Sequence, residues 1–65
     1  MDTIAIIPGS VLIRIIKDAD HDGRFLIETS SPNRLPGVSL FGYSPERIKN
    51  TFGLTDKQFK DYCHG

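Results

Sequence analysis

In the first half of this chain most large apolar residues are β-branched or aromatic and tend to alternate with polar ones. In the last third they fall about four apart. Alternation predicts strands and the wider spacing predicts helices. Residues 3–7 read as a short first strand, stopped by Pro8-Gly9. Proline sets φ at the first central position of a turn and glycine accepts positive φ at the second, which predicts a type II turn. Residues 10–17 read as the longest strand and 24–29 as its partner. Residues 38–43 alternate Val38, Leu40 and Gly42 against Ser39, Phe41 and Tyr43 and read as another strand. Residues 30–37 carry Pro32 and Pro36, neither of which donates a backbone hydrogen bond, so they read as a linker rather than a central strand.

The register of the long hairpin follows from its faces. A two-residue loop, Asp22-Gly23, would set Lys17 opposite Glu28. A five-residue loop, 19–23, would set Arg14 opposite Glu28 and Asp18 opposite Arg24. Both make attractive charge pairs. Only the longer loop also gathers Val11, Ile13, Ile15, Phe25 and Ile27 on one apolar face. A one-residue slip moves a whole apolar set to the other face, so the five-residue loop is expected.

Ser44 is a good N-cap and Pro45 a good first helical residue. Ile48 and Phe52 follow on one face. Gly53 ends this helix, with Leu54 placed to fold back as in a Schellman ending. Thr55 with Gln58 three residues on forms a capping box for a second short helix, which presents Phe59, Tyr62 and Cys63. The expected fold is α+β: a small antiparallel sheet of three or four strands, with an SH3-like barrel as one variant, and two short C-terminal helices. The expected core is Ile13, Ile15, Phe25, Ile27, Leu40, Ile48, Phe52 and Phe59.

Sixty-five residues make a single domain, 1–65. A domain this size buries only about 60% of its unfolded surface, which leaves little room for an enclosed active site. Eight basic and eight acidic residues cancel, so the electrostatic footprint of a dedicated nucleic-acid binder is missing. A single cysteine, Cys63, forms no internal disulfide, and a reducing cytoplasm is the expected compartment. The N-terminal stretch lacks the leading basic region of a signal peptide, and no apolar run approaches a membrane span.

The segment Asp18-Ala19-Asp20-His21-Asp22-Gly23 opens like a calcium loop. Its twelfth position is Thr29, however, and Glu28 comes one residue early. The flanks are strands where an EF-hand has helices. The expectation is a polar turn and no metal. His21 lies between two aspartates that favour its charged form, which makes it a poor general base. Cys63-His64 offers only two adjacent ligands, too few for a metal site. No cofactor and no catalytic residue is expected. Two helices split by Gly53 suggest a helix-turn-helix, but the second carries Asp56 and Asp61 beside Lys57, Gln58 and Lys60, which weakens a DNA-reading face. Phe25, Phe41 and Tyr43 could stack bases, yet no basic residues are interleaved among them.

The stronger binding candidates are Arg34 and Leu35, held between two prolines that lower the entropy cost of association, and Tyr43 beside the first helix. Arg and Tyr are frequent interface anchors. A compact, charge-balanced single domain without a catalytic motif resembles the small bacteriophage-encoded regulators that bind host machinery. Those that bind bacterial RNA polymerase are the best-known kind. The resemblance implies a non-enzymatic regulator in the host cytoplasm that binds a larger host protein and inhibits or redirects transcription. A nucleic-acid-binding module built on the helix pair is the alternative, as is an inhibitor of a host defence nuclease.

Overall fold

The structure is a computed structural model that describes residues 3–63. Three strands, β1 (Val11–Lys17), β2 (Phe25–Ser31) and β3 (Arg34–Val38), precede two helices, α1 (Pro45–Phe52) and α2 (Asp56–Cys63). The strands form one antiparallel sheet in the order β1-β2-β3. This is the expected α+β class. Among the described residues the sheet is open at both edges, so the SH3-like barrel variant is not formed.

The first hairpin adopts the register that the charge and face argument selects. Arg14 faces Glu28 and Ile15 faces Ile27, with an Arg14 Nε to Glu28 Oε1 hydrogen bond of 2.9 Å on the solvent side. Asp18 N–H donates to the Arg24 carbonyl at 3.0 Å and so closes the 19–23 loop. Gly23 supplies the positive φ (75°) that ends it.

One detail of β1 departs from simple alternation. The pairing steps from Leu12↔Thr29 to Arg14↔Glu28, so Ile13 is an extra residue opposite no partner. This β-bulge shifts the alternation by one. Leu12 and Ile15 therefore share the buried face, while Ile13 is 41% exposed. The expected face of Val11, Ile13 and Ile15 is corrected to Leu12 and Ile15.

Residues 3–7 are not a strand. Their turn is the expected one: Ser10 N–H donates to the Ile7 carbonyl at 3.0 Å, and Gly9 has φ 83°. A type II turn does not match the twist of paired strands and splays what it connects. The segment accordingly leaves β1 and lies on α1 instead. Ile4 N–H donates to Thr51 Oγ1 at 2.7 Å, and the Arg47 guanidinium donates to the Thr3 carbonyl at 3.3 Å. Ile4 is buried there.

Residues 30–37 are not a linker. Pro32-Asn33 turns β2 into β3, with Ser31 paired to Arg34. Proline cannot take the positive φ of the usual two-residue hairpin turn. The mismatch is absorbed next door, where Leu35 and Pro36 together oppose Ser30 in a second bulge. Pro36 is tolerated because β3 is an edge strand. Residues 38–43, expected as a strand, touch β2 only at their ends. Ser39 N–H donates to the Ile27 carbonyl at 2.9 Å, and Tyr43 exchanges hydrogen bonds of 2.8 and 2.9 Å with Phe25. Leu40, Phe41 and Gly42 loop outward between those points.

The helices obey their local signals. Ser44 Oγ accepts from Arg47 N–H at 3.3 Å. Gly53 is left-handed (φ 67°), and Leu54 N–H donates to the Lys49 carbonyl at 2.9 Å, the long bond of a Schellman ending. Thr55 and Gln58 form the reciprocal capping box at 2.9 and 3.2 Å. α2 packs on β1 and its Leu12/Ile15 face, and α1 packs against α2 and adds Ile48 to the same core. The core comprises Ile4, Leu12, Ile15, Ile27, Ile48 and Phe59, with Phe25, Phe52, Tyr43, Leu54, Tyr62 and Cys63 packed around it. Phe25 and Phe59 meet edge to face at 5.2 Å. Of the expected core, Ile13 and Leu40 are corrected to the surface, and Ile4 and Leu12 take their places. No helix among the described residues is long and apolar enough to cross a membrane.

Candidate protein-binding surface

The divergence of residues 4–7 from the sheet opens a groove of about 340 Å³ between that segment and β3. Its depth has a simple origin. Beside Ile27, the sheet residues that line it are the small Thr29, Ser31 and Gly37, and Ser39 follows just after β3. A Cβ at Gly37 would meet nothing within 4 Å. The walls carry exposed apolar side chains, Ile6 and Ile7 on one side and Leu35 on the other, while Val38, paired with Glu28, turns its side chain to the other face of the sheet. Leu35 is 90% exposed.

All three residues chosen from the sequence line this groove. Arg34 stands exposed at the β2-β3 turn. Leu35 crowns the β3 wall. Tyr43 differs from the other two. It is half-buried against the core, and the Arg47 guanidinium lies 5.3 Å from its ring centre. Its role is to floor the groove rather than to project from it. Ile6 and Ile7 were assigned to a strand on sequence grounds and belong to this surface as well.

A second exposed feature follows along the chain. Leu40 is 90% and Phe41 71% exposed, yet their loop is tightly held. Ser39 Oγ accepts from Ile27 N–H at 3.1 Å and donates to the Phe41 carbonyl at 3.0 Å. Arg24 donates to the Gly42 carbonyl at 3.2 Å. Gly42 itself lies against Asp18 and Arg24, where a Cβ would come within 2.5 Å of Asp18 Oδ2. The result is an apolar knuckle on fixed shoulders. Beneath it runs a depression of about 380 Å³ lined by Asp20, His21, Arg24 and Leu26 among others. The signal for the knuckle was present in the sequence: two adjacent large apolar residues cannot both face one core from an alternating strand.

The acidic turn has a structural occupation. Asp18 is buried, and its carboxylate accepts from Asp20 N–H at 2.9 Å and lies 3.2 Å from His21 Nδ1. Among the described residues no group of three or more His, Cys, Asp or Glu is placed to hold a metal ion. Burial pushes the Cys63 thiol above its ordinary pKa, which makes it a weak nucleophile at neutral pH. His64 lies outside the described residues. The outer face of α2 exposes Lys57, Gln58 and Lys60 together with Asp56 and Asp61. The hydrogen bond from Lys49 (2.7 Å) holds the Asp56 carboxyl below its ordinary pKa.

Comparison with protein-family models, with curated proteins and with solved structures finds no match for this chain.

Proposed function

We propose that this protein is a non-enzymatic, protein-binding regulator that acts by attaching to a larger protein. The observation that supports this reading is the contiguity of exposed Ile6, Ile7 and Leu35 around one groove. Scattered apolar residues are ordinary on a surface, whereas a contiguous apolar patch with a polar rim marks an interaction site. Arg34 at the groove's end and Leu35 on its wall are the contact residues, and Tyr43 forms the floor. Pro36 removes one N–H from the exposed edge of β3, so recognition rests on side chains more than on strand addition. The target implied by the resemblance to bacteriophage-encoded regulators is bacterial RNA polymerase.

Purified RNA polymerase is the first partner to assay, by biolayer interferometry and by transcription output. Binding is expected, with little loss as salt rises. A protein making six to ten phosphate contacts would instead lose roughly 10³–10⁵ in affinity between about 50 and 200 mM salt. Polymerase that neither binds nor responds refutes the target. Steeply salt-dependent binding to bare DNA refutes the class. A Leu35→Asp variant that binds as well as the parent refutes the groove.

A further inference from the structure

The two walls of the groove differ in what their backbones offer. β3 is already paired with β2 and carries Pro36, which has no N–H to donate. The other wall, residues 4–7, runs without turn or bend and belongs to no sheet. Along an extended chain the backbone groups of successive residues point to opposite sides. Ile4 N–H donates to Thr51 Oγ1 on α1, so the N–H and C=O of Ala5 point away from α1. Ala5 lines the groove, whereas no residue of α1 or α2 does. The backbone groups of Ala5 therefore face the groove. Neither makes a hydrogen bond among the described residues. The two ends of the groove also differ. Ile7 leads into the Pro8-Gly9 turn, and Gly9 stands against Pro32 of the β2-β3 turn, so Ile7 lies at the Arg34 end. Ile4 lies at the α1 end. Among the described residues Arg34 is the one charged residue lining the groove, and it joins no ion pair.

These features select the kind of chain that fits. A helix has its backbone groups paired internally and has none to give Ala5. An extended chain has them free along both edges. We infer that the part of the partner that enters the groove is an extended peptide segment, apolar at alternate positions and acidic at the end that meets Arg34. The inference rests on the protein-binding reading above and names the chemistry of what is bound. The segment pairs with residues 4–7 through Ala5, antiparallel, the direction with the more stable ladder. Residues 4–7 run toward Arg34, so an antiparallel segment brings its acidic residue first. Its alternate apolar side chains occupy the space of about 340 Å³ left over Thr29, Ser31 and Gly37, against Ile6, Ile7 and Leu35. Side chains supply most of the contact, and the Ala5 hydrogen bonds set direction and register. The acidic residue answers the lone positive charge of the lining.

The probe is the peptide acetyl-Glu-Val-Thr-Val-Thr-amide, titrated into the isotope-labelled protein and followed by the backbone amide NMR signals. Saturable shifts are expected at Ala5, Ile7 and Gly37, half-complete below about 1 mM, the weak end of the usual affinity scale. Alternate N–H groups of the bound peptide point to opposite edges. N-methylation of its two valines and N-methylation of its two threonines should therefore differ in effect, one weakening binding at least about fivefold more than the other, as loss of a hydrogen bond does. Arg34→Glu should weaken the peptide about threefold or more, and lysine in place of the peptide's glutamate should restore it. Leu35→Asp alters a side chain that is 90% exposed, so the variant should fold, as circular dichroism will show, and it should abolish the shifts. Half-saturation above about 1 mM, shifts confined to other surfaces, equal tolerance of the two methylation patterns, or indifference to the charge exchange would each overturn the inference. Failure of the peptide alongside a larger partner that still responds to Leu35→Asp sinks the extended segment and leaves the reading above standing. A larger partner indifferent to Leu35→Asp sinks that reading itself.

Discussion

Replacing Gly42 by alanine adds one methyl group at the most crowded of the described glycine positions. Gly42 does not have a positive φ, so backbone strain is not the issue and the cost is steric. The new Cβ would stand 2.5 Å from Asp18 Oδ2 and 2.9 Å from Arg24 Cβ. A carboxylate oxygen at the surface would simply swing aside. Asp18 cannot do so cheaply, since it is buried and its oxygens hold Asp20 N–H and the His21 ring. The Arg24 contact is worse, because a Cβ moves only with its backbone. Overpacking of this kind costs about 1–3 kcal/mol, and losing the Asp18 hydrogen bond to Asp20 adds about 1 kcal/mol. For a domain of this length each kcal/mol lowers Tm by about 4–8 °C, so a fall of at least about 5 °C is expected. Gly37→Ala is the control, since its Cβ meets nothing within 4 Å and its φ is not positive. It should stay within about 0.5 kcal/mol of the parent. Urea denaturation of both variants gives the comparison. In an Asp18→Ala background the cost of Gly42→Ala should shrink, because one of its two clashes is gone. Equal stability of Gly42→Ala and Gly37→Ala would refute the account of how the knuckle is anchored.

The bulge at Ile13 makes a prediction opposite to simple alternation. Leu12→Ala should cost about 2–5 kcal/mol, whereas Ile13→Ala, at a 41% exposed position, should cost much less; thermal melts of the two variants decide it. The acidic turn should show no stoichiometric calcium binding at micromolar concentration by calorimetry, because the Asp18 carboxylate is already committed to Asp20 and His21. The Cys63 thiol is raised from an ordinary value of 9.0 by burial, so alkylation of the folded chain should be slow at neutral pH and climb with pH to a midpoint above that value. In urea the midpoint should move down toward the ordinary value of 9.0.

The parts of this fold legible in the sequence are those made by neighbours in the chain. Ser44 capping Arg47, Gly53 and Leu54 closing α1, and the Thr55-Gln58 box each join residues a few positions apart. Their geometry depends on little else. The hairpin register was also legible, because opposite charges and matching faces on two adjacent strands restrict the pairing. The groove residues Arg34 and Leu35 were found through their prolines. The rest depended on partners far along the chain. No local pattern marks Ile13 as the extra residue in β1, since the bulge exists only relative to Thr29 and Glu28 on the facing strand. Pro36, one of the two prolines that suggested a linker, is compatible with β3 only because that strand lies at an edge, and sheet order is a tertiary fact. The isoleucines of residues 4–7 report burial and extension, but α1, not the sheet, receives Ile4. Leu40 reads as core by alternation, yet Ser39 and Tyr43 bond to β2 at positions two apart, and of the three residues between them Leu40 and Phe41 bulge into solvent. Hydrogen bonds within a turn or cap are written in adjacent side chains, whereas bulges, edges and grooves arise from which backbones meet across the fold.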